Sequence, residues 1–275
     1  MTSSTTSPGP IRMGYADTSL GQLHYAECGS GSPALLLLHQ APRSWDEFRE
    51  VLPLFGAARR TVAMDMRGFA GSPGLPAPQS IEQYAEGALA LLDALGIDEV
   101  TVLGHHTGAL VALEVAAAVP NRVSTLVLSS SPYNDAAWRS ERDSSDLGVD
   151  DAEIQEDGSH LTTLWAQRLP YYPAGRPDLL DRFVRDALAP GIDPAEGHRA
   201  VHRYVMEDRI GLVRARTLVL CAAGDPFAMP HVPRLAGALT EAAEVRSEIV
   251  AGAHIPVMEE RPAEVVAAVE RFLAG

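Results

Sequence analysis

Two adjacent histidines stand at the sharpest turn that the sequence predicts. Residues 100–108 read Val-Thr-Val-Leu-Gly-His-His-Thr-Gly, so an apolar run ends in a Gly-x-X-x-Gly turn whose central residue is His106. In the usual form of this strand-to-helix turn, the central residue is a serine that is held exposed as a nucleophile. This sequence has the same flanking glycines, because side chains would clash at those positions. Its reactive atom, however, is an imidazole nitrogen and not a hydroxyl oxygen.

An imidazole at that position supports two kinds of chemistry. It can attack a carbonyl carbon to give an acyl-imidazole, which hydrolyses readily. It can also act as a general base that takes a proton from water or from a bound carbonyl compound.

Short apolar runs alternate with helical patterns along most of the chain. We expect strands at residues 12–16, 22–27, 34–38, 60–66, 99–103, 123–129, 217–222 and 245–250, and helices at 44–55, 81–95, 108–119 and 262–273. Ser44 and Glu47 are spaced as a capping box for the first of these helices. Near-continuous apolar strands that alternate with helices predict a mainly parallel sheet with helices on both faces.

The alternation breaks between residues 132 and 212, where aromatic residues and prolines replace the strand pattern. We expect short helices here, which form a cap over the carboxyl ends of the strands, where such sheets bind ligands. The predicted organisation is a disordered tail at 1–10, a core at 11–131 and 213–275, and a helical cap at 132–212.

Four landmarks, each at the end of a predicted strand, resemble the α/β-hydrolase superfamily in their order along the chain. They are the turn His39-Gln40-Ala41-Pro42, the run Asp-Met-Arg-Gly-Phe-Ala-Gly-Ser at 65–72, the turn at 104–108, and the loops Gly224-Asp225-Pro226-Phe227 and Gly252-Ala253-His254. The resemblance covers nearly the whole chain. It implies an α/β-hydrolase fold: a mostly parallel eight-stranded sheet flanked by helices, with the cap inserted after strand 6. The branch is atypical, with His106 in place of the serine.

The resemblance implies a catalytic set of His106, Asp225 and His254. In this set Asp225 would accept a hydrogen bond from one nitrogen of His254. His254 would then offer its other nitrogen to the substrate, to water or to His106. Asp135 is an alternative acid, because some members of the family place theirs after the preceding strand.

The resemblance also implies an oxyanion hole. Its donors would be the backbone N–H groups of Ala41 and Thr107, the second at a helix N-terminus that favours negative charge. Gln40 replaces the glycine that is usual in the family, and its amide would either supply a further donor or point to solvent. His39 is expected to be structural, hydrogen-bonded beneath the loop.

Aromatic residues in the predicted cap and beside the acid loop favour a small apolar or aromatic substrate. The candidate substrate contacts are His105, Arg43, Trp138, Trp165 and Phe227. For the aromatic residues the alternative is a place in the cap's own core, and for Arg43 it is a solvated position at the start of a helix.

These residues favour an enzyme that hydrolyses a carboxylic ester or lactone, with His106 as nucleophile or general base. Two alternatives stay open. One is a lyase, cyclase or decarboxylase that moves protons with His106 and His254; the other is a catalytically inactive module that binds a small molecule. No cofactor is expected, and no metal site, because adjacent histidines on a tight turn point apart and would not readily share an ion.

The composition of the chain excludes some classes of binding partner. The 275 residues carry 22 basic and 36 acidic side chains, a formal net charge of −14, which argues against binding to nucleic acid or to an anionic membrane. No apolar run is long enough to cross a bilayer and the first residues lack a signal-peptide pattern, so we expect a cytoplasmic protein. The expected partner is a small-molecule substrate, and a homodimer is left open.

Overall fold

The computed structural model describes residues 9–141, 150 and 152–275. The predicted tail at 1–10 therefore lies almost wholly outside the described residues. In the part of the chain that is described, no helix combines the length and the apolar character needed to cross a membrane.

A single eight-stranded sheet forms the centre of the molecule, in the order β1-β2-β4-β3-β5-β6-β7-β8. β1 and β2 form an antiparallel hairpin and β2 pairs antiparallel with β4, whereas the other neighbours are parallel. This confirms the predicted fold class. The strands are β1 Arg12–Thr18, β2 Gly21–Cys28, β3 Ala34–Leu38, β4 Thr61–Met64, β5 Val100–His105, β6 Val123–Ser129, β7 Arg216–Ala222 and β8 Val245–Val250.

Helices cover both faces of this sheet. Alternate residues of β3 separate the two layers: Leu36 and Leu38 pack in the cluster that contains α2 and α3, and Leu35 and Leu37 in the cluster that contains α1 and α10. The two-residue period of a strand explains this division. The helices are α1 Val51–Gly56, α2 Ile81–Ala94, α3 Thr107–Ala118, α4 Ala136–Ser140, α5 Ser159–Arg168, α6 Pro177–Ala187, α7 Glu196–Arg203, α8 Val232–Ala238, α9 Val257–Glu260 and α10 Pro262–Ala274.

The helix predicted at residues 44–55 is instead a short 3-10 helix, Trp45–Phe48, followed by α1. The predicted capping box is wrong. The Ser44 side chain accepts a hydrogen bond from the N–H of Asp46, and the Glu47 carboxylate is bound by Gln40. Glu47 therefore binds the buried residue Gln40 and does not cap a helix, as its spacing from Ser44 had suggested.

The turn between β5 and α3 depends on close backbone approach. A Cβ at Gly104 would overlap the backbone of Gly108, and a Cβ at Gly108 would overlap the backbone of Leu38. The two glycines therefore allow α3 to begin directly against the sheet, as expected. Eleven of the twelve residues of α3 are buried, so the helix is held in place on every side.

The described residues between β6 and β7 form α4–α7 and short 3-10 helices. These elements fit the proposed cap at 132–212, whose boundaries remain a proposal. An apolar cluster of Leu164, Tyr172, Leu179, Leu180, Phe183 and Ala187 lies within them. Ion pairs join them to the core: Asp186 binds Arg43, and Arg209 binds Glu114 of α3.

Candidate active site

His106 stands at the crest of the turn between β5 and α3. Its backbone has φ 48° and ψ −113°, a region that costs a residue with a side chain about 1–3 kcal/mol. The surrounding packing maintains this strained conformation. The side chain is 16% exposed, and its ring meets the ring of His105 edge-on with the centroids 4.7 Å apart.

The carboxylate nearest His106 belongs to Asp225, which follows β7. His106 Nε2 lies 2.8 Å from Asp225 Oδ2. The two atoms are close but are not aligned as a hydrogen bond, and neither has another hydrogen-bond partner among the described residues. Oδ1 of Asp225 accepts from the backbone N–H groups of Phe227 at 2.9 Å and Ala228 at 3.1 Å. The carboxylate is thereby held with Oδ2 towards His106.

The charge state of Asp225 follows from these contacts. Its side chain is fully buried, and burial alone acts to raise its pKa. His106, through charge and contact, and the N–H of Phe227 act in the opposite direction and lower the pKa of Asp225 to about 2. Asp225 is therefore a carboxylate over the physiological range.

His254 does not complete the predicted triad. Its Nδ1 lies 3.1 Å from Oε1 of Glu260, and its backbone N–H donates to Oε2 of Glu260 at 2.8 Å. In the described part of the chain, no hydrogen bond or ion pair joins His254 to Asp225. The predicted bond between these two residues is wrong, because backbone groups hold Asp225 towards His106 while α9 brings Glu260 back to His254.

The alternative acid, Asp135, has a structural role. Its Oδ1 accepts from the N–H of Trp138 and caps α4, and its Oδ2 pairs with Arg234. The site therefore contains two separate histidine–carboxylate pairs: His106 with Asp225, and His254 with Glu260.

The residues predicted for the oxyanion hole divide into two groups. Thr107 is the first residue of α3, where backbone N–H groups have no partner within the helix. Ala41 is buried under Gly197 of α7. Gln40 is not an oxyanion donor, because both its backbone N–H and its side-chain amide donate to the carboxylate of Glu47. His39 is buried beneath the loop and hydrogen-bonded on both ring nitrogens.

Two predicted substrate contacts are fully buried and bound by other groups of the protein. Arg43 is fully buried, and its guanidinium binds both oxygens of Glu259 and one oxygen of Asp186. His105 is fully buried; its Nε2–H donates to the carbonyl of Ile255 and its Nδ1 accepts from Ser129. Burial lowers the pKa of His105 to about 3, so this ring is neutral. Both predictions fail because each side chain has a buried polar partner that the sequence pattern did not reveal.

The aromatic candidates lie in different surroundings. Trp138 packs at the edge of the larger core cluster, and Trp165 packs against the apolar cluster of the inserted helices. Phe227 is 37% exposed and meets the ring of Tyr171 with the centroids 4.9 Å apart. Of the three, Phe227 is the one placed beside the acid loop.

Two carboxylates of the site, Glu47 and Glu260, were not identified from the sequence. Glu260 had a local signal, since it follows His254 by six residues. Glu47 was assigned to helix capping, and only the folded chain shows its contact with Gln40. In the described ranges, no three side chains of His, Cys, Asp or Glu are grouped so that they could jointly hold a metal ion.

Residues 33–261 match a family model described as alpha/beta hydrolase fold. Over 133 residues the chain is 35% identical to bifunctional epoxide hydrolase 2 of Mus musculus, a match that covers 46% of this chain and 23% of that protein. Over 123 residues it is 37% identical to 2-hydroxy-6-oxononadienedioate/2-hydroxy-6-oxononatrienedioate hydrolase 1 of Dechloromonas aromatica, covering 43% of this chain and 42% of that protein. The matches thus span less than half of these curated relatives.

Solved structures resemble the whole chain at lower identity. The enol-lactonase from Burkholderia xenovorans aligns with a TM-score of 0.78 at 20% identity, over 95% of this chain and 100% of that one. Epoxide hydrolase A from Mycobacterium thermoresistibile aligns with a TM-score of 0.77 at 23% identity, over 97% and 99%. At these identities the likeness concerns the fold.

Proposed function

The chain belongs to the alpha/beta hydrolase fold family, and from that premise we propose that it hydrolyses a small apolar or aromatic ester or lactone. The curated relatives are named as hydrolases, which supports hydrolysis as the class of reaction. The observation that carries the proposal is the 2.8 Å contact between His106 Nε2 and Asp225 Oδ2. It pairs a histidine at the crest of the sheet with a buried carboxylate.

In this proposal His106 is the general base. Asp225 favours the tautomer of His106 that carries its proton on Nε2, which leaves the lone pair on Nδ1. When Nδ1 takes a proton, the ring becomes a cation, and the ionised carboxylate stabilises that cation without accepting the proton itself. The low pKa of Asp225 supports this division of roles.

The same contact favours proton transfer over covalent attack. Because Nε2 lies against the Asp225 carboxylate at 2.8 Å, a nucleophilic His106 would have to attack through Nδ1. That nitrogen is adjacent to the ring carbon that carries the side chain, so an acyl group there would be crowded. Removal of a proton from a water molecule demands far less space.

The reaction then balances as simple hydrolysis. Nδ1 of His106 accepts one proton from water while the water oxygen bonds to the carbonyl carbon. The negative charge that develops on the carbonyl oxygen is stabilised by the N–H groups of Ala41 and Thr107. The C–O bond to the leaving oxygen breaks and that oxygen receives a proton by way of His254 and solvent, while protonated His106 releases one proton and becomes neutral again. The products are an acid and an alcohol, which stay joined when the substrate is a lactone.

His254 has a separate role in this scheme. Its pairing with Glu260 orients the ring, and its side chain is 39% exposed. A histidine that is oriented and open to water can exchange protons between the leaving oxygen and solvent. Phe227 and Tyr171 beside the acid loop favour an apolar or aromatic group on the substrate.

A second candidate is a non-hydrolytic reaction that moves protons on a carbonyl compound, such as a carbon–carbon cleavage. The observation that favours it is the presence of two histidine–carboxylate pairs, since such reactions need one base and one acid. It uses the same residues without a water molecule as the attacking group.

A substrate panel tests the proposal. The purified protein is assayed on an aryl ester, an aromatic lactone, an aryl epoxide and a 1,5-diketone, alongside His106→Ala and a control, Asp135→Asn. We expect turnover of the ester or lactone, its loss in His106→Ala, normal turnover in the control, and no acyl adduct by intact-protein mass spectrometry. Turnover of the diketone alone supports the second candidate. Turnover of the epoxide alone, or ester hydrolysis that survives His106→Ala, contradicts the proposal.

A further inference from the structure

Glu47 is a buried carboxyl group that the proposed reaction does not use directly. Its side chain is 0% exposed, in the short 3-10 helix after the His39–Pro42 turn. Oε2 accepts the backbone N–H of Gln40 at 2.8 Å, and Oε1 accepts the side-chain amide of Gln40 at 2.9 Å. Both donors of one residue therefore bind the two oxygens of one carboxylate.

Gln40 directly precedes Ala41, which contributes an N–H group to the proposed oxyanion hole. The carbonyl of Gln40 is also fixed, since it accepts from His39 Nδ1 at 2.8 Å and from the N–H of Arg43 at 2.8 Å. The peptide that carries the Ala41 N–H begins at that carbonyl. The direction of the Ala41 N–H is thus set by the hydrogen bonds that hold the carbonyl, the backbone N–H and the side chain of Gln40.

Charged and titratable groups face Glu47 from several elements. Nε2 of His105, at the end of β5, lies 3.6 Å from Oε1. Arg43, Glu259 of α9 and Tyr172 of the inserted helices also interact with it electrostatically. The guanidinium of Arg43 is already engaged by Glu259, and His105 is neutral, so no charged side chain among the described residues pairs directly with Glu47. Burial, opposed by Arg43, raises the pKa of Glu47 to about 8.

We propose that Glu47 is a positioning residue for the oxyanion hole: its ionised carboxylate holds both donors of Gln40 and so fixes the Ala41 N–H for the transition state. The inference rests on the proposed hydrolysis and deepens it. A protonated Glu47 carries a hydrogen on one oxygen, and that oxygen becomes a weaker acceptor for Gln40. The loop is then held less firmly.

The expected consequence is a titration in kcat that does not belong to either histidine pair. Below the pKa of Glu47 the carboxyl is neutral and kcat is low; above it the carboxylate forms and kcat rises. KM changes little across the same range, because an oxyanion donor acts mainly on the transition state. The apparent pKa of this rise is expected near 8.

Glu47→Gln tests the proposal through the pH profile of kcat. The amide cannot ionise, and it faces Gln40 with a donor where an acceptor is needed. We expect kcat at high pH to fall about 10- to 100-fold with KM little changed, and the rise near pH 8 to disappear. The control Glu50→Gln neutralises a carboxylate three residues away that binds Arg182, and it should keep the rise. A rise near pH 8 that persists in Glu47→Gln overturns the proposal.

Gln40→Met gives a second test if Glu47→Gln fails to fold. It removes the side-chain donor and keeps the backbone one. Because that donor stabilises the ionised form, its loss should move the rise in kcat to higher pH. No shift, or a shift to lower pH, counts against the proposal.

An NMR titration separates this inference from the proposed hydrolysis. In the unmodified protein, the side-chain amide resonances of Gln40 should titrate with a midpoint near 8, and in Glu47→Gln they should not. If no substrate is hydrolysed but Gln40 titrates, the proposed function fails and the positioning contact stands. If substrates are hydrolysed and Gln40 does not titrate, the positioning role fails alone.

Discussion

The two histidine–carboxylate pairs of the site differ in burial and in the way that the chain builds them. His106 and Asp225 come from different strand ends, β5 and β7, and the Asp225 carboxylate is fully buried. His254 and Glu260 are six residues apart in one loop and helix, and the His254 side chain is 39% exposed. One pair requires the whole sheet to be folded, whereas the other needs only a local turn.

This difference in burial indicates which carboxylate interacts more strongly with its histidine. Charges in a buried site interact more strongly than charges that water surrounds, so Asp225 can stabilise a cationic His106 better than Glu260 can stabilise His254. The His254–Glu260 pair is less shielded from water, since the His254 side chain is 39% exposed and that of Glu260 is 8% exposed. In the proposed reaction the His106–Asp225 pair therefore takes the proton from water, and the His254–Glu260 pair assists.

The largest effect is expected when the buried base is removed. His106→Gln should lower kcat by about 10²–10⁴-fold, the usual contribution of a positioned general base. Steady-state kinetics on the best ester or lactone measures this change. An effect of less than about tenfold would mean that His106 is not the base.

Asp225→Asn should lower kcat by about 10²-fold or more, because the amide cannot stabilise a cationic His106. It should also change acid stability. The pKa of Asp225 is lowered from 3.8 to about 2, so its carboxylate stabilises the fold above pH 4 and this contribution is lost as the pH falls towards 2. Between pH 5 and 2, the free energy of unfolding should fall by about 2 kcal/mol more in the unmodified protein than in Asp225→Asn. Urea unfolding checks this, and equal pH dependence in the two proteins would contradict the pairing.

Changes to the His254–Glu260 pair should give a smaller effect. His254→Gln and Glu260→Gln are each expected to lower kcat about tenfold, and the double variant should be no slower than His254→Gln alone, because Glu260 acts through His254. Glu264→Gln, an exposed acid on α10, is the matched control. If His254→Gln costs as much as His106→Gln, the two pairs act as one triad and their separation is wrong.

The smallest effect concerns the helix that covers the oxyanion loop. A Cβ at Gly197 of α7 would overlap the Cβ of Ala41, so Gly197→Ala must push α7 and the loop apart. We expect a loss of about 1–3 kcal/mol in the free energy of unfolding and a lower kcat/KM. Gly211→Ala is the control, since no heavy atom of the described residues lies within 4 Å of a Cβ added there. Equal stability of the two variants would show that the contact is not tight.

The fold could be predicted because its signals are local and repeated. Alternating strands and helices, a glycine-flanked turn at 104–108 and the loops after the last strands define the sheet and place His106, Asp225 and His254 at one edge. Strand and helix periods carry that information along the sequence.

The partner of each group could not be predicted in the same way. Whether Asp225 faces His106 or His254 depends on two backbone N–H groups that turn its carboxylate. Arg43 was predicted to contact substrate or, as the alternative, solvent, because its partners, Asp186 and Glu259, lie far along the chain. Such contacts depend on the packing of distant elements, and no periodic pattern encodes them.

Nitrogen-15 NMR of the imidazole rings measures directly whether Asp225 interacts with His106 or with His254. In the unmodified protein we predict that neutral His106 carries its proton on Nε2, and that Asp225→Asn shifts both ring nitrogens of His106 while those of His254 stay in place. A proton on Nδ1 of His106, or a response of His254 to Asp225→Asn, would contradict the pairing on which the proposed chemistry depends.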